Sequence, residues 1–208
     1  MKIAGAWSGH DCSYYISNNG IPLVHAEYER YLREKEPPGD SIALMLGEHE
    51  NCEDIVHLAT CHPYNKITDY QESFVKIDNI IKKNGGQIHV LGHHQTHAAN
   101  TFFSSNFENA LILTIDGGGL DRIGNNIVPT ACTVWVGSGN KIKHIHTFPI
   151  NSVNIGGVWT RATRYIFKLQ SGWPRGHQAG SVMAMAALGD SEKYIDDFYT
   201  MLTEHIGM

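Results

Sequence analysis

The sequence is poor in several features that mark whole protein classes. It holds only 4 cysteines in 208 residues, Cys12, Cys52, Cys61 and Cys132, with no CxxC pair among them. That spacing offers no disulfide framework, so the thiols read as reduced and the expected location is the cytoplasm. No apolar run approaches the roughly 20 residues that a membrane helix needs. The opening "MKIAGAWSGHD" lacks the long apolar core of a signal peptide. Positive charge is not in excess: 16 Lys and Arg stand against 21 Asp and Glu, a formal net charge of −5. This argues against a basic nucleic-acid-binding face, but not against a small anion held by backbone amides. Pro/Gly-rich linkers, internal repeats and low-complexity tracts are also missing, which makes one domain the default. What is present is a 42% hydrophobic chain, enough for one sizeable core or two tight lobes.

The chain opens as a strand meander. "KIAGAW" and "SYYIS" flank the turn "SGHDCS", and "NNG" signals a hairpin into "IPLVHAEYE". After the polar loop "REKEPPGD", Asp40 or Ser41 is positioned to cap a helix over "SIALMLGEH". "DIVHLAT" reads as a strand. A helix follows, with Phe74, Ile77, Ile80 and Ile81 at helical spacing and a stop at "KKNGG". "QIHVLG" is a strand and "HHQTHAANTFFSS" a helix, and "ALILTIDGGG" is a buried strand running into a glycine turn. "ACTVWVGSGNKIKHIHTFPI" is a hairpin, and the remainder is helical to about residue 206. Strands first, then alternating helix and strand, give an α/β domain with a mixed sheet.

Three stretches carry candidate chemistry. His93 and His97 are four apart, which on a helix places both imidazoles on one face about 6 Å apart along the axis. Such a pair can grip one metal ion, although ordinary surface or core histidines satisfy the same pattern in a chain with 13 of them. His94 points about 100° away and faces the core or a second ligand. In "TIDGGG", Asp116 ends a buried strand, and Gly117, Gly118 and Gly119 let the backbone approach a phosphate. The alternative there is a tight turn with an exposed carboxylate. In "SGHDCS", Gly9, Asp11 and Ser13 suit a turn that meets an anion, with His10 as acid or base, or else the stretch is a plain hairpin tip. Arg30, Arg33 and Lys35 either hold a phosphate or lie on a solvated strand end. One glycine turn near residue 10 and another near residue 117 suit the actin, hexokinase and sugar-kinase class, where two such turns face one phosphate chain.

Five stretches together resemble the amino-terminal part of the NodU/CmcH-type O-carbamoyltransferases: "GHDCSYYI", "ERYLREKEPPGDSIALML", "HHQTHAANTFFSSNFENALILTIDGGG", "GGVWTRATRYIF" and "AGSVMAMAALGD". The resemblance implies an actin-like ATPase lobe with a ribonuclease H-like mixed sheet flanked by helices. It implies ATP-dependent transfer of a carbamoyl group from carbamoyl-adenylate, made from carbamoyl phosphate, to a hydroxyl of a small molecule. By motif position His93, His97 and Asp116 would ligate a divalent metal, iron in the family. Gly117 to Gly119, Gly9, Ser13 and Lys35 would face phosphate, and His10 and Asp11 would act at the transferring group. Ser181 and Ala184 depart from the family's usual lysine and glycine.

Such enzymes are more than twice this length. The expectation is therefore that residues 1–208 form the first lobe of the TsaD-like domain, with the second lobe and the YrdC-like adenylate-forming domain absent. The chain alone is expected to be inactive, and to pair with a missing half or with itself. The competing readings are a noncatalytic partner subunit of a split enzyme and a relative of the tRNA threonylcarbamoyl transferases.

Overall fold

The computed structural model describes residues 1–200 apart from 10, 35–36, 38, 49–51, 62–70, 125, 152–153, 170–177 and 198. His10 and Lys35 therefore lie outside the described residues, as does the end of the expected C-terminal helix.

Residues 2–90 build a five-stranded sheet. Its strands are β1 (Lys2–Trp7), β2 (Ser13–Asn18), β3 (Ile21–Glu27), β4 (Ile55–Thr60) and β5 (Gln87–Val90), in the order β3-β2-β1-β4-β5. β2 runs antiparallel to both of its neighbours, and β4 and β5 run parallel to β1. That order with that one reversed strand is the ribonuclease H-like sheet of the actin-like ATPase lobe. β3 stops at Glu27, short of the expected Glu29, because the chain turns into the short helix α1 (Tyr28–Leu32).

The first core follows from sequence periodicity. β1 alternates, with Ala4 and Ala6 turned inward beside Tyr14, Ile16, Ile55 and Leu58. Against them pack Ile42 and Met45 of α2 (Ser41–Glu48) and Ile77 and Ile81 of α3 (Gln71–Lys83). These spacings of three and four put each pair on one helix face. Full burial of each such side chain contributes about 1.5–3 kcal/mol. Asp40 caps α2: its Oδ1 accepts from the amides of Ile42 and Ala43, each at 3.0 Å. Ser41 takes the other part, bonding Ser8 Oγ at 2.9 Å and tying the first turn to this helix.

A second, separate sheet comprises β6 (Asn109–Ile123), β7 (Asn126–Ser138) and β8 (Lys141–Pro149), all antiparallel. Helix α4 (His93–Phe103) covers one face of it, where Ala98 and Phe102 meet Ile112 and Trp135. Gly137 makes that contact possible, since a Cβ there would stand 2.5 Å from the Phe102 ring. The glycine run does not end β6 as expected. The strand continues through it to Ile123, with the register shifting between Ile115 and Gly119. Helix α5 (Ile155–Arg161) leads into a π-helical turn, Ala162–Ile166, and α6 (Ala179–Ala186) lies beyond.

Candidate functional site

β1, β4 and β5 are parallel and end at Trp7, Thr60 and Val90. Ligands of open α/β sheets bind outside the carboxyl ends of such strands. α4 begins there, two residues past β5, so its first turn delivers histidines to that edge. His93 and His97 share one helix face as the spacing requires, with ring centroids 4.7 Å apart.

Asp116 of β6 meets both. Its Oδ2 lies 2.6 Å from His93 Nε2 and 3.5 Å from His97 Nε2, and the two Nε2 atoms are 3.1 Å apart. All three donor atoms fall within 4.8 Å of one another. Atoms sharing one ion at about 2.1 Å each stand roughly 3–3.5 Å apart. Two imidazoles and one carboxylate form a donor set suited to a divalent first-row metal, iron included. The residues therefore fit such an ion. Hydrogen bonds from His93, then His97, and one from the Gly117 amide hold the Asp116 carboxyl far below its usual value, against the opposing effect of burial. The bond to Asp116 in turn raises His97.

His94 is fully buried, which decides between its two expected roles in favour of the core. Its Nδ1 lies 2.7 Å from Asp121 Oδ2, and Thr130 Oγ1 lies 2.8 Å from the same nitrogen. Asp121 also accepts from the amides of His94 at 2.9 Å and Gln95 at 3.3 Å. Burial opposes ionisation of Asp121, but bonds from His94 and Thr130 overcome it and hold its carboxyl below the usual range. Sequence reasoning missed Asp121, because a strict two-residue alternation puts it on the opposite face from Asp116. The register shift reverses that. Residues 116–118 stand opposite Ala131 alone, since Ile115 pairs with Cys132 and Gly119 with Thr130. Inward positions are even up to Asp116 and odd from Gly119 on. The usable signal was the glycine run inside a strand that continues apolar beyond it.

A cavity of about 610 Å³ opens beside the cluster, lined by His93, His97 and Asp116 and by Trp7, Ser13 and Tyr15 among others. Trp7 and Ser13, the residues flanking the first turn, thus face the same space as Asp116, while no described residue of the turn itself lines it. Trp7 stands edge-on to His93, with ring centroids 6.3 Å apart. Cys61 also lines the cavity, but burial pushes its thiol up to about 11, so it is no nucleophile at neutral pH.

Other expected site residues lie elsewhere. Asp11 lines a second cleft with Glu27, Glu29 and Arg30 rather than this cavity. Arg30 is on α1 and pairs with Glu27 at 2.8 Å, and Arg33 is the exposed left-handed residue ending that helix. Gly9 bridges Gly39 through two backbone bonds of 3.0 Å. Of the glycines after Asp116, Gly119 is required by packing. A Cβ on Gly119 would lie 2.3 Å from the His93 ring. Gly117 donates its amide to Asp116 Oδ1 at 2.6 Å, and its backbone abuts Gly156 of α5.

The family model for the carbamoyltransferase N-terminus matches residues 26–206. The chain belongs to that family. Among curated proteins it is similar to the nodulation protein NolNO of Sinorhizobium fredii, 34% identical over 119 residues, covering 56% of this chain and 15% of that protein. It is also similar to NolO of Bradyrhizobium diazoefficiens, 31% identical over 115 residues, covering 54% and 18%. Each match thus spans less than a fifth of the relative. Similar solved structures include YeaZ from Pseudomonas aeruginosa, 10% identical with a TM-score of 0.33, covering 66% of this chain and 69% of that one. Another is a Pseudomonas aeruginosa protein with similarity to YeaZ, 9% identical with a TM-score of 0.42, covering 91% and 94%. No helix among the described residues is long and apolar enough to cross a membrane.

Proposed function

We propose that this chain is the acceptor-side part of an ATP-dependent O-carbamoyltransferase, acting where a carbamoyl group passes from carbamoyl-adenylate to a hydroxyl of a small molecule. The observation that carries this reading is the convergence of His93, His97 and Asp116 on the wall of one cavity, in a chain of the carbamoyltransferase N-terminus family. Those three residues would hold a divalent ion, iron by the family resemblance. When bound, such an ion supplies charge to offset a phosphate and Lewis acidity toward a carbonyl.

The chain's own residues have separate tasks. His93 and His97 offer Nε2 atoms from a helix face fixed by its packing on β6 and β7. Asp116 presents an ionised carboxylate between them. Trp7 and Tyr15 give the cavity an aromatic wall, and His25 lines the same space. His10, which lies outside the described residues, is assigned by the family resemblance alone as the group that would take the proton from the acceptor hydroxyl, a contribution of about 10²–10⁴-fold where such groups act.

Two variants test this. The metal-loaded chain should bind a nonhydrolysable carbamoyl-adenylate analogue, and Asp116→Asn should lose that binding by at least about tenfold. Equal binding by both would contradict the assigned site. The same analogue should also bind less tightly to His97→Ala, and equal binding there would contradict the assigned site too.

A further inference from the structure

We infer that Asp121 is the positioning residue of the His93–His97–Asp116 cluster: it sets where helix α4 begins, and so how the two imidazoles meet Asp116. The inference rests on reading that cluster as a metal site and goes beyond it by assigning a role to a residue that touches none of the three side chains.

Four observations carry it. First, Asp121 takes the first-turn amides that α4 leaves unmet, since the helix's own Gln95 Oε1 accepts only the Gly92 amide, at 3.2 Å. The residue at the N-cap is Gly92, which has no side chain to accept from the first turn, and the Asp121 carboxylate accepts the His94 and Gln95 amides instead. An ionised group at that end also meets the positive end of an 11-residue helix dipole. Second, the fit is close enough to dictate its neighbour. A Cβ on Gly92 would stand 2.3 Å from Asp121 Oδ1, so any other residue there would push the carboxylate away.

Third, the carboxylate's remaining oxygen is occupied. Asp121 Oδ2 accepts from His94 Nδ1 and from the hydroxyl of Thr130, both on fully buried residues. Asp121 itself is only 2% exposed. One nearly buried carboxylate thus joins α4, β6 and β7. Fourth, the register shift turns Asp116, Gly119 and Asp121 to the same face. Bulges commonly re-aim side chains beside sites in this way. Asp116 then meets His93 and His97, Gly119 receives the His93 ring, and Asp121 clamps the amide of His94 between them. A shift of the helix start would move His93 by the same amount relative to a carboxylate on the same strand.

The test uses the full chain and Co(II) as a spectroscopic probe. Wild type, Asp121→Asn and Thr130→Val are titrated by calorimetry and by visible absorption, with circular dichroism confirming that each is folded at the working temperature. Asp121→Asn keeps the shape and one acceptor oxygen. It should weaken Co(II) by about 10–100-fold and change the d–d absorption envelope, the scale usual for groups that orient metal ligands. Thr130→Val, which removes one donor to the same carboxylate, should weaken binding several-fold in the same direction, and it carries the test if Asp121→Asn does not fold. Wild-type affinity and an unchanged spectrum in the folded variants would overturn the role of Asp121 while leaving the metal site standing. Wild type that binds no Co(II) would overturn the metal reading itself, and this role with it.

Discussion

Asp116 accepts from two imidazoles and one amide, and that concentration of donors keeps it ionised. Removing its charge should therefore weaken divalent-ion binding, whereas the solvent-screened pair Lys76–Glu72 on α3 can be lost with little effect on the fold. Asp121 gives the residue scale its pH dependence. Its carboxyl lies below the usual value when folded. A group with that sign contributes stability above its unfolded value, about 3.9, and loses it as pH falls through the folded value. The melting temperature of wild type should accordingly drop from about pH 5 downward more steeply than that of Asp121→Asn. Parallel acid limbs in thermal melts would contradict the assignment. His93 and His97 were legible in the sequence because a spacing of four is a geometric statement once the segment is a helix. His94 was open between core and ligand, because burial is decided by β6 and β7, far from it in sequence.

Element β6 shows what alternation misses. A reader counting in twos through "LILTIDGGGLDRI" ends the strand at the glycines and sends Asp121 to the wrong face. Three residues opposite one restore the phase, and only the pairing with β7 reveals it. The glycines were read as phosphate contacts; packing adds a separate reason for one of them, since Gly119 makes room for the His93 ring, and Gly156 of α5 in turn makes room for the Gly117 backbone. Tight packing of that kind predicts unequal costs for one added methyl. Gly156→Ala places a Cβ 2.2 Å from the Gly117 nitrogen and should destabilise by about 1–3 kcal/mol. Gly47→Ala, in α2 with nothing within 4 Å, should stabilise by about 0.5–1 kcal/mol. Thermal melts should separate the two by several degrees, at about 2–4 °C per kcal/mol for a chain of this size. Equal melting temperatures would show that α5 does not press on the Asp116 segment as described.

At the scale of the molecule, the first sheet was readable almost strand by strand, since its turns and helix stops are local signals. Beyond the first sheet the chain carries a second one. β6, β7 and β8 repeat the antiparallel meander of β1, β2 and β3, and among the described residues no strand pairs with the other edge of β6. Leu111, Leu113 and Ile115 stand 74%, 56% and 47% exposed on the face away from α4. An open edge beside an apolar face favours association. Light scattering should show an apparent mass that rises with concentration, and Leu111→Lys with Leu113→Lys should suppress it; a concentration-independent monomer would contradict this. The central claim, that His93, His97 and Asp116 form a metal centre, is tested most directly by iron content. After anaerobic loading and desalting, mass spectrometry should find iron retained by wild type and largely lost from His97→Ala. Equal iron in the two proteins would contradict the account.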